Sequence, residues 1–267
     1  MEDKHISRFG QVSVYVRTFF RLFCNEKRWK TFISAALIIF MISMVTEKGM
    51  FHEFSDTKSG GFALVSASIW IGIFNSLRLV CRERAILKRE HRVGLHMSSY
   101  MAAHMVYGAF LCGLEALLIT VLVALANFKW FPRWGVMMPG ALEYYISTFL
   151  TVYAAHSLGL AISAAVKDEN TAMAVMPFAL ILQLILAGAV FELEGVAKAL
   201  SAFTVSRWGL AAICSTAKVN DMTFFGVDDY ASDPGHLLWI WFLLAFFALA
   251  YAVAGTVFLE FIDKDKR

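Results

Sequence analysis

Six apolar runs, at about residues 29–46, 61–80, 98–126, 141–166, 171–190 and 236–261, alternate with short stretches in which the charged residues collect. Each run is long enough, or nearly so, to cross a hydrocarbon core of about 30 Å as a helix rising about 1.5 Å per residue. The pattern predicts an all-α integral membrane protein with six transmembrane helices. Ahead of the first run, residues 5–28 place Phe9, Val12, Val16, Phe19, Phe20 and Phe23 at helical spacing, with Arg8, Arg17 and Arg21 among them. That arrangement predicts an amphipathic helix lying in the membrane interface.

The basic residues then set an orientation. Lys27, Arg28 and Lys30 precede the first run, Arg78 through Arg92 separate the second from the third, Lys167 joins the fourth to the fifth, and Lys264, Lys266 and Arg267 follow the last. Basic residues concentrate on the cytoplasmic side of membrane proteins, so these four regions and both termini are expected there. On the opposite side Trp130 and Trp134 supply an interfacial belt. The longest outer segment is 191–235. Its first part, 191–215, repeats apolar residues at helical spacing but carries Glu192, Glu194, Lys198 and Arg207, too much charge for lipid. It predicts short re-entrant helices that dip into or cap the bundle, shielded by protein, before a surface loop.

Composition agrees with this division into an interfacial helix, 1–28, and a six-span unit, 29–267. The chain is 267 residues long, 59% hydrophobic and only 17% charged, where soluble domains carry about a quarter charged residues. Its mean hydropathy is +0.62. A net charge of +3 gives little surface for nucleic acid, and none is expected as a partner. Cys24, Cys81, Cys112 and Cys214 have neither metal-type spacing nor a CxxC, so no metal site is expected. The first 28 residues do not read as a cleaved signal peptide, and the first span is expected to act as the insertion signal.

Against this background the stretch "CRERAILKREHRVGLHMSSY", residues 81–100, is too long and too charged to be a turn. Glu83 and Glu90 lie seven apart, on one helical face, with Ile86 and Leu87 between them and Gly94 as a breaker. Its basic residues fit anchoring to anionic lipid; the two carboxylates favour a protein partner. Ionisable groups at depth are costly and mark structural bonds or function: Glu115 in the third run, and His104 and His156 nearer the inner ends of the third and fourth. Ala155, Gly159 and Ser163 form a small-residue stripe that favours close helix packing. An intramembrane enzyme built on Glu115, His104 and His156 and an ion-coupled carrier are the alternatives, although the sequence has no HExxH, nucleophile elbow or clear inverted repeat.

The order of these elements resembles a known family. An amphipathic first helix, two spans, Glu83-Arg84-Ala85 with Glu90, then Ser98-Ser99-Tyr100, four more spans, and a late Pro177, Gln183, Gly188 followed by Ser206-Arg207-Trp208-Gly209 is similar to the membrane domain of type-2 ABC exporters, especially the G subfamily. The resemblance implies that 5–28 is a connecting helix. It also implies that 82–97 is a cytoplasmic coupling helix, with Glu83, Arg84, Ile86, Leu87 and Glu90 facing a nucleotide-binding subunit. No GxxxxGK[ST] phosphate loop is present, so ATP and Mg are expected in that partner, with no cofactor in this chain. The resemblance further implies two permease copies facing one another in a bacterial inner membrane. A hydrophobic or amphipathic substrate (a drug-like compound, peptide or lipid) would pass along Ala67, Ile71, Phe74, Ile181, Leu184 and Gly188, while Gln183 and Arg207 join Glu115 as buried polar groups. Two features depart from the family: only Cys214 lies near the last outer loop, and Ala189 and Val190 stand where some members carry a leucine plug.

Overall fold

A computed structural model describes residues 7–25, 30–45, 50–191, 193–223 and 226–261, so that Lys27, Arg28, Glu192, Lys264, Lys266 and Arg267 lie outside the described residues. In chain order its helices are α1 (Arg8–Asn25), α2 (Lys30–Val45), α3 (Phe54–Ser76), α4 (Leu79–Arg92), α5 (Met97–Ala126), α6 (Gly140–Ala165), α7 (Glu169–Ile185), α8 (Gly195–Ser201), α9 (Val205–Thr216) and α10 (Pro234–Glu260). Among the described residues there is no named strand. Four segments are long and apolar enough to cross a membrane: Phe54–Arg92, α5, α6 and α10. The helices α2 and α7 are apolar but shorter, about 24 and 26 Å at 1.5 Å per residue.

Helix α6 is the hub, packed by α10, α3, α5 and α9. Its middle is small and polar: Ser147, Thr148, Thr151, Ala155, Ser157, Gly159 and Ser163 are all buried. Hydroxyls in such a position satisfy themselves on the preceding turn, as Thr151 does on Ser147 O at 2.8 Å and Ser157 on Tyr153 O at 3.0 Å. Small residues also let backbones touch. A Cβ placed on Gly72 of α3 would sit 2.6 Å from the Val152 carbonyl, and one on Gly159 of α6 would sit 2.9 Å from the Ile73 carbonyl. The stripe Ala155, Gly159 and Ser163 is therefore the seam between α6 and the α3–α4 segment.

The start of α6 is closed by a carboxylate that the apolar pattern does not reveal. Glu143, fully buried, accepts from the N–H groups of Val136 and Met137 at 3.0 Å each and Met138 at 3.3 Å. One side chain thus satisfies three backbone donors of the loop between α5 and α6, across a bridge pairing Trp134 with Pro139. The last helix starts on Asp233, which accepts from Gly235 N and His236 N, with Pro234 at the first helical position.

Between α7 and the loop that leads to α10 lie the helices α8 and α9, and the two differ. The first, α8, leaves Val196, Leu200 and Phe203 beside it exposed, while α9 is buried along nearly its whole length against α3, α6 and α10. Substituting Gly72 by Val should force α3 off α6 and cost about 3 kcal/mol, the upper range for overpacking. Gly113→Ala, which meets only ordinary contacts, should be neutral. Thermal unfolding of a Cys24→Ser background, read by a thiol-reactive fluorophore reaching the buried Cys81, Cys112 and Cys214, checks both; equal midpoints would contradict the backbone contact.

Candidate functional site

The charged stretch folds as α4, a continuation of α3 that begins at Leu79 and ends at Arg92, earlier at both ends than 82–97. It ends where Gly94 takes φ +108°, a left-handed conformation that suits glycine. Val93 N and Leu95 N return to Glu90 O, and Gly94 N to His91 O. The chain then turns into α5, which packs chiefly on α6, α1 and α2.

The inward side of α4 is bonded to three other helices. Ser163 Oγ of α6 accepts from Val80 N and Cys81 N, both at 3.1 Å, and so caps the orphan donors of the helix start. In return Arg84 donates to Ala164 O at 3.0 Å and Val166 O at 2.7 Å, closing the carbonyl end of α6. Tyr100 of α5 donates to Glu83 at 2.8 Å, and Tyr15 of α1 donates to Glu90. Burial first, and the bond to Glu90 next, push the Tyr15 phenol well above its ordinary range, so it stays a neutral donor. Gln11 of α1 spans the turn, donating to Gly94 O and accepting from His96 N, each at 3.1 Å. Behind these bonds Phe19 stacks on His104 at 4.2 Å and packs edge-on against Tyr100 at 6.1 Å.

The placement of the expected residues follows. Glu83, Arg84 and Glu90 turn toward the protein's own helices, and Leu87 is buried; only Ile86 of the five points outward. Seven-residue spacing does put the two glutamates on one face, but that is the inner face. The outward face is Arg82, Ala85, Ile86, Arg89, Arg92 and Val93, a basic and apolar stripe about 16 Å long at 1.5 Å per residue. Its residues are legible in the sequence once α4's buried side is known from Val80 and Leu87.

The six residues expected along a path separate into two groups. Ala67 and Ile71 are buried inside the chain. Phe74 and Ile181 are exposed, and Leu184 and Gly188 half-buried. The open side of α3 runs through Ser59, Phe62, Ser66, Trp70 and Phe74 to Arg78, whose guanidinium lies 5.8 Å from the Phe74 ring centre. Helix α7 packs against α3 and buries only Ala172, Met176, Leu180 and Gln183, one face at three- and four-residue spacing.

Of the polar groups expected to be buried, Glu115 and Gln183 are, while Arg207 is half-buried, and all three hold elements together. Gln183 Oε1 accepts from Ser206 N at 3.1 Å while Ser206 Oγ donates to Gln183 O, which locks α7 to α9. Arg207 donates to both oxygens of Asp229 at 3.0 Å, to Ser201 Oγ at 2.8 Å and to Lys198 O at 3.2 Å, and its guanidinium lies 5.3 Å from the Trp208 ring centre. The late Ser206-Arg207-Trp208-Gly209 motif is thus the clasp of the outer cap. Glu115, His104 and His156 go separate ways: Glu115 accepts from Asn75 Nδ2, His104 stacks on Phe19, and His156 fills the space opposite Gly108, where an added Cβ would meet its Nε2 at 2.4 Å. Among the described residues no group of three or more His, Cys, Asp or Glu is placed to hold a metal ion.

Comparison with known proteins adds two findings. A family model described as "ABC-2 type transporter" matches residues 11–216, from α1 to the end of α9. An "ABC transporter ATP-binding/permease protein" of Mycobacterium tuberculosis is 27% identical over 230 residues, which is 80% of this chain and 26% of that protein. The chain therefore spans about a quarter of the length of the curated relative it matches.

The two sides of α4 should answer differently to substitution. Tyr15→Phe leaves Glu90 without its phenol donor and should lower stability by about 1.5–3 kcal/mol, as for other bonds to charged groups. Arg89→Ala, on the open side, should stay within about 0.5 kcal/mol of wild type. The thiol-reactive unfolding assay measures both, and a larger loss for Arg89→Ala would reverse the assignment of faces.

Proposed function

The chain belongs to the ABC-2 type transporter family, and from that premise we propose that it is the permease subunit of an ATP-driven exporter, powered by a separate nucleotide-binding subunit that binds ATP and Mg. As a member of that family it is an integral membrane transport permease, and the chain itself is not catalytic. The observation that carries the finer reading is the division of α4 into a bonded inner side and an open basic and apolar outer side. A docking helix needs both: a free face for the partner and a fixed one through which displacement reaches the spans. Arg82, Ile86, Arg89 and Val93 form the contact in this reading, while Glu83, Arg84, Leu87 and Glu90 fix the lever.

The proposed architecture has six crossings, with α2 and α7 as the short ones beside Phe54–Arg92, α5, α6 and α10. Both termini and α4 face the cytoplasm, by the basic residues at Arg78–Arg92 and Lys167. Two copies face one another in a bacterial inner membrane. The path runs along the open sides of α3 and α7, where Trp70, Phe74, Ile181, Leu184 and Gly188 offer apolar and aromatic surface to a hydrophobic or amphipathic substrate.

Mild-detergent purification of the tagged native protein, with mass spectrometry of co-purifying chains and an ATPase assay, tests this reading. A subunit carrying a phosphate loop should co-purify. The double variant Arg82→Glu, Arg89→Glu should reduce its recovery by about tenfold or more, the effect of juxtaposing like charges at an interface, with the permease still folded. Equal recovery with the double variant, or the chain alone under several extraction conditions, would overturn it.

A further inference from the structure

Between α1, α2 and α5 lies a pocket of about 50 Å³, open on one side, with Glu115 and Asn75 in its lining. Phe23 of α1, Phe32 of α2 and Tyr107 of α5 form an aromatic wall, with ring centres 6.2 Å apart for Phe23 and Phe32 and 6.5 Å for Phe23 and Tyr107. Leu79 and Leu111 complete the lining. Glu115 is 2% exposed. Its Oε1 accepts from Asn75 Nδ2, while its Oε2 has no hydrogen-bond partner among the described residues.

The chemistry of these two groups is one-sided. A carboxylate accepts only, and because the Asn75 amide turns its NH₂ toward it, the Asn75 Oδ1 is left as a second acceptor. A buried carboxyl with a single neutral partner carries its charge only with a cation beside it, since an unpaired charge out of water is heavily penalised. Faces of aromatic rings favour the same kind of guest. The volume admits a head group of a few heavy atoms rather than a whole molecule. Phe110 and Leu114, one position before Leu111 and Glu115 and exposed, continue an apolar surface along α5 for a tail.

We infer that this pocket binds the ammonium head of a long-chain amine, with Glu115 Oε2 and Asn75 Oδ1 accepting from the ammonium and the tail leaving along α5. Such a head could belong to an aminophospholipid of the bilayer or to an amphiphilic amine presented for transport. The site is distinct from the open sides of α3 and α7 and from the docking stripe on α4.

The test uses the full chain in phosphatidylglycerol vesicles and dodecylamine carrying a photoreactive diazirine near its tail end, with labelled peptides mapped by mass spectrometry. Labelling should fall on α1, α2 and α5 and be displaced by excess dodecylamine but not by dodecanol. Glu115→Gln should reduce it by about tenfold or more, as for loss of one partner of a buried charge pair. Leu111→Trp, which fills the pocket and keeps the carboxylate, should do the same, and it carries the test if Glu115→Gln does not fold. Undiminished labelling in both variants, or equal displacement by dodecanol, would overturn the assignment. Adding phosphatidylethanolamine separates the two sources: displacement assigns the pocket to a bilayer lipid, persistence to a free amine. Because binding is read directly, failure here leaves the ATP-driven reading standing, and the reverse holds as well.

Discussion

The backbone of α3 touches the backbone of α6, and the rest of the arrangement depends on that contact. Gly72 lies so near the Val152 carbonyl, and Gly159 so near the Ile73 carbonyl, that no side chain fits between the helices. In a bilayer, apolar surface alone does little to join helices, because lipid tails are as apolar as leucine; close van der Waals packing and internal hydrogen bonds must do it. The small and hydroxylic middle of α6 supplies both. It brings α3 close, turns the Thr151 and Ser157 hydroxyls onto their own preceding turns, and leaves Ser147 Oγ to receive the indole N–H of Trp241 from α10 at 2.9 Å.

That seam also fixes the start of α4. Ser163 lies one turn beyond Gly159, which places its hydroxyl at the orphan N–H groups of Val80 and Cys81, while Arg84 reaches back to the last carbonyls of α6. The two helix ends satisfy each other. Each would otherwise leave unpaired backbone groups buried between helices, where such groups are expensive. Rigid connection of α4 to α6 is thus a by-product of backbone chemistry, and the same connection makes α4 suitable for carrying force. Tyr15 and Tyr100 add two more fixed points from α1 and α5, and both use carboxylates of α4 as acceptors.

The helices were largely legible because lipid and a helical core impose the same requirement, a long apolar run: each of the six runs corresponds to a helix with ends displaced by a few residues except at the start of α3, and four of them lie in segments long and apolar enough to cross a membrane. What periodicity could not supply was direction. Spacing puts Glu83 and Glu90 on one face of α4 but does not say whether that face meets the solvent, and their phenol partners lie 17 and 75 residues away in sequence. The same limit applies to Ala67 and Ile71, since α3 is apolar nearly all round and its lipid and core sides look alike. Glu143 escaped notice because it reads as an ordinary residue near the start of a span. Its role appears only when a loop folds back to present three N–H groups at once. Arg207 and Gln183 were visible as polar residues in apolar surroundings, but their partners, Asp229 and Ser206, come from later segments.

Uneven packing then suggests how displacement divides within the chain. The α3–α4 segment, α5 and α6 are joined backbone to backbone or end to end, so a push on α4 moves them as one body. Helix α7 is different: it rests on this body through a single face, carries Pro177 in its interior, and starts at a cap of its own, where Asp168 accepts from Thr171 N at 2.9 Å. Its other end is tied to α9 through Gln183 and Ser206, and Arg207, the next residue of α9, clasps Ser201 at the end of α8 and Asp229 of the outer loop. A tilt of α7 relative to α6 is therefore opposed by few side chains along the helix and transmitted at its end to the outer cap. In the exporter reading, the lever on one side of the membrane and the clasp on the other are linked through the most lightly held span, which is where a path that must open and close would be expected to move.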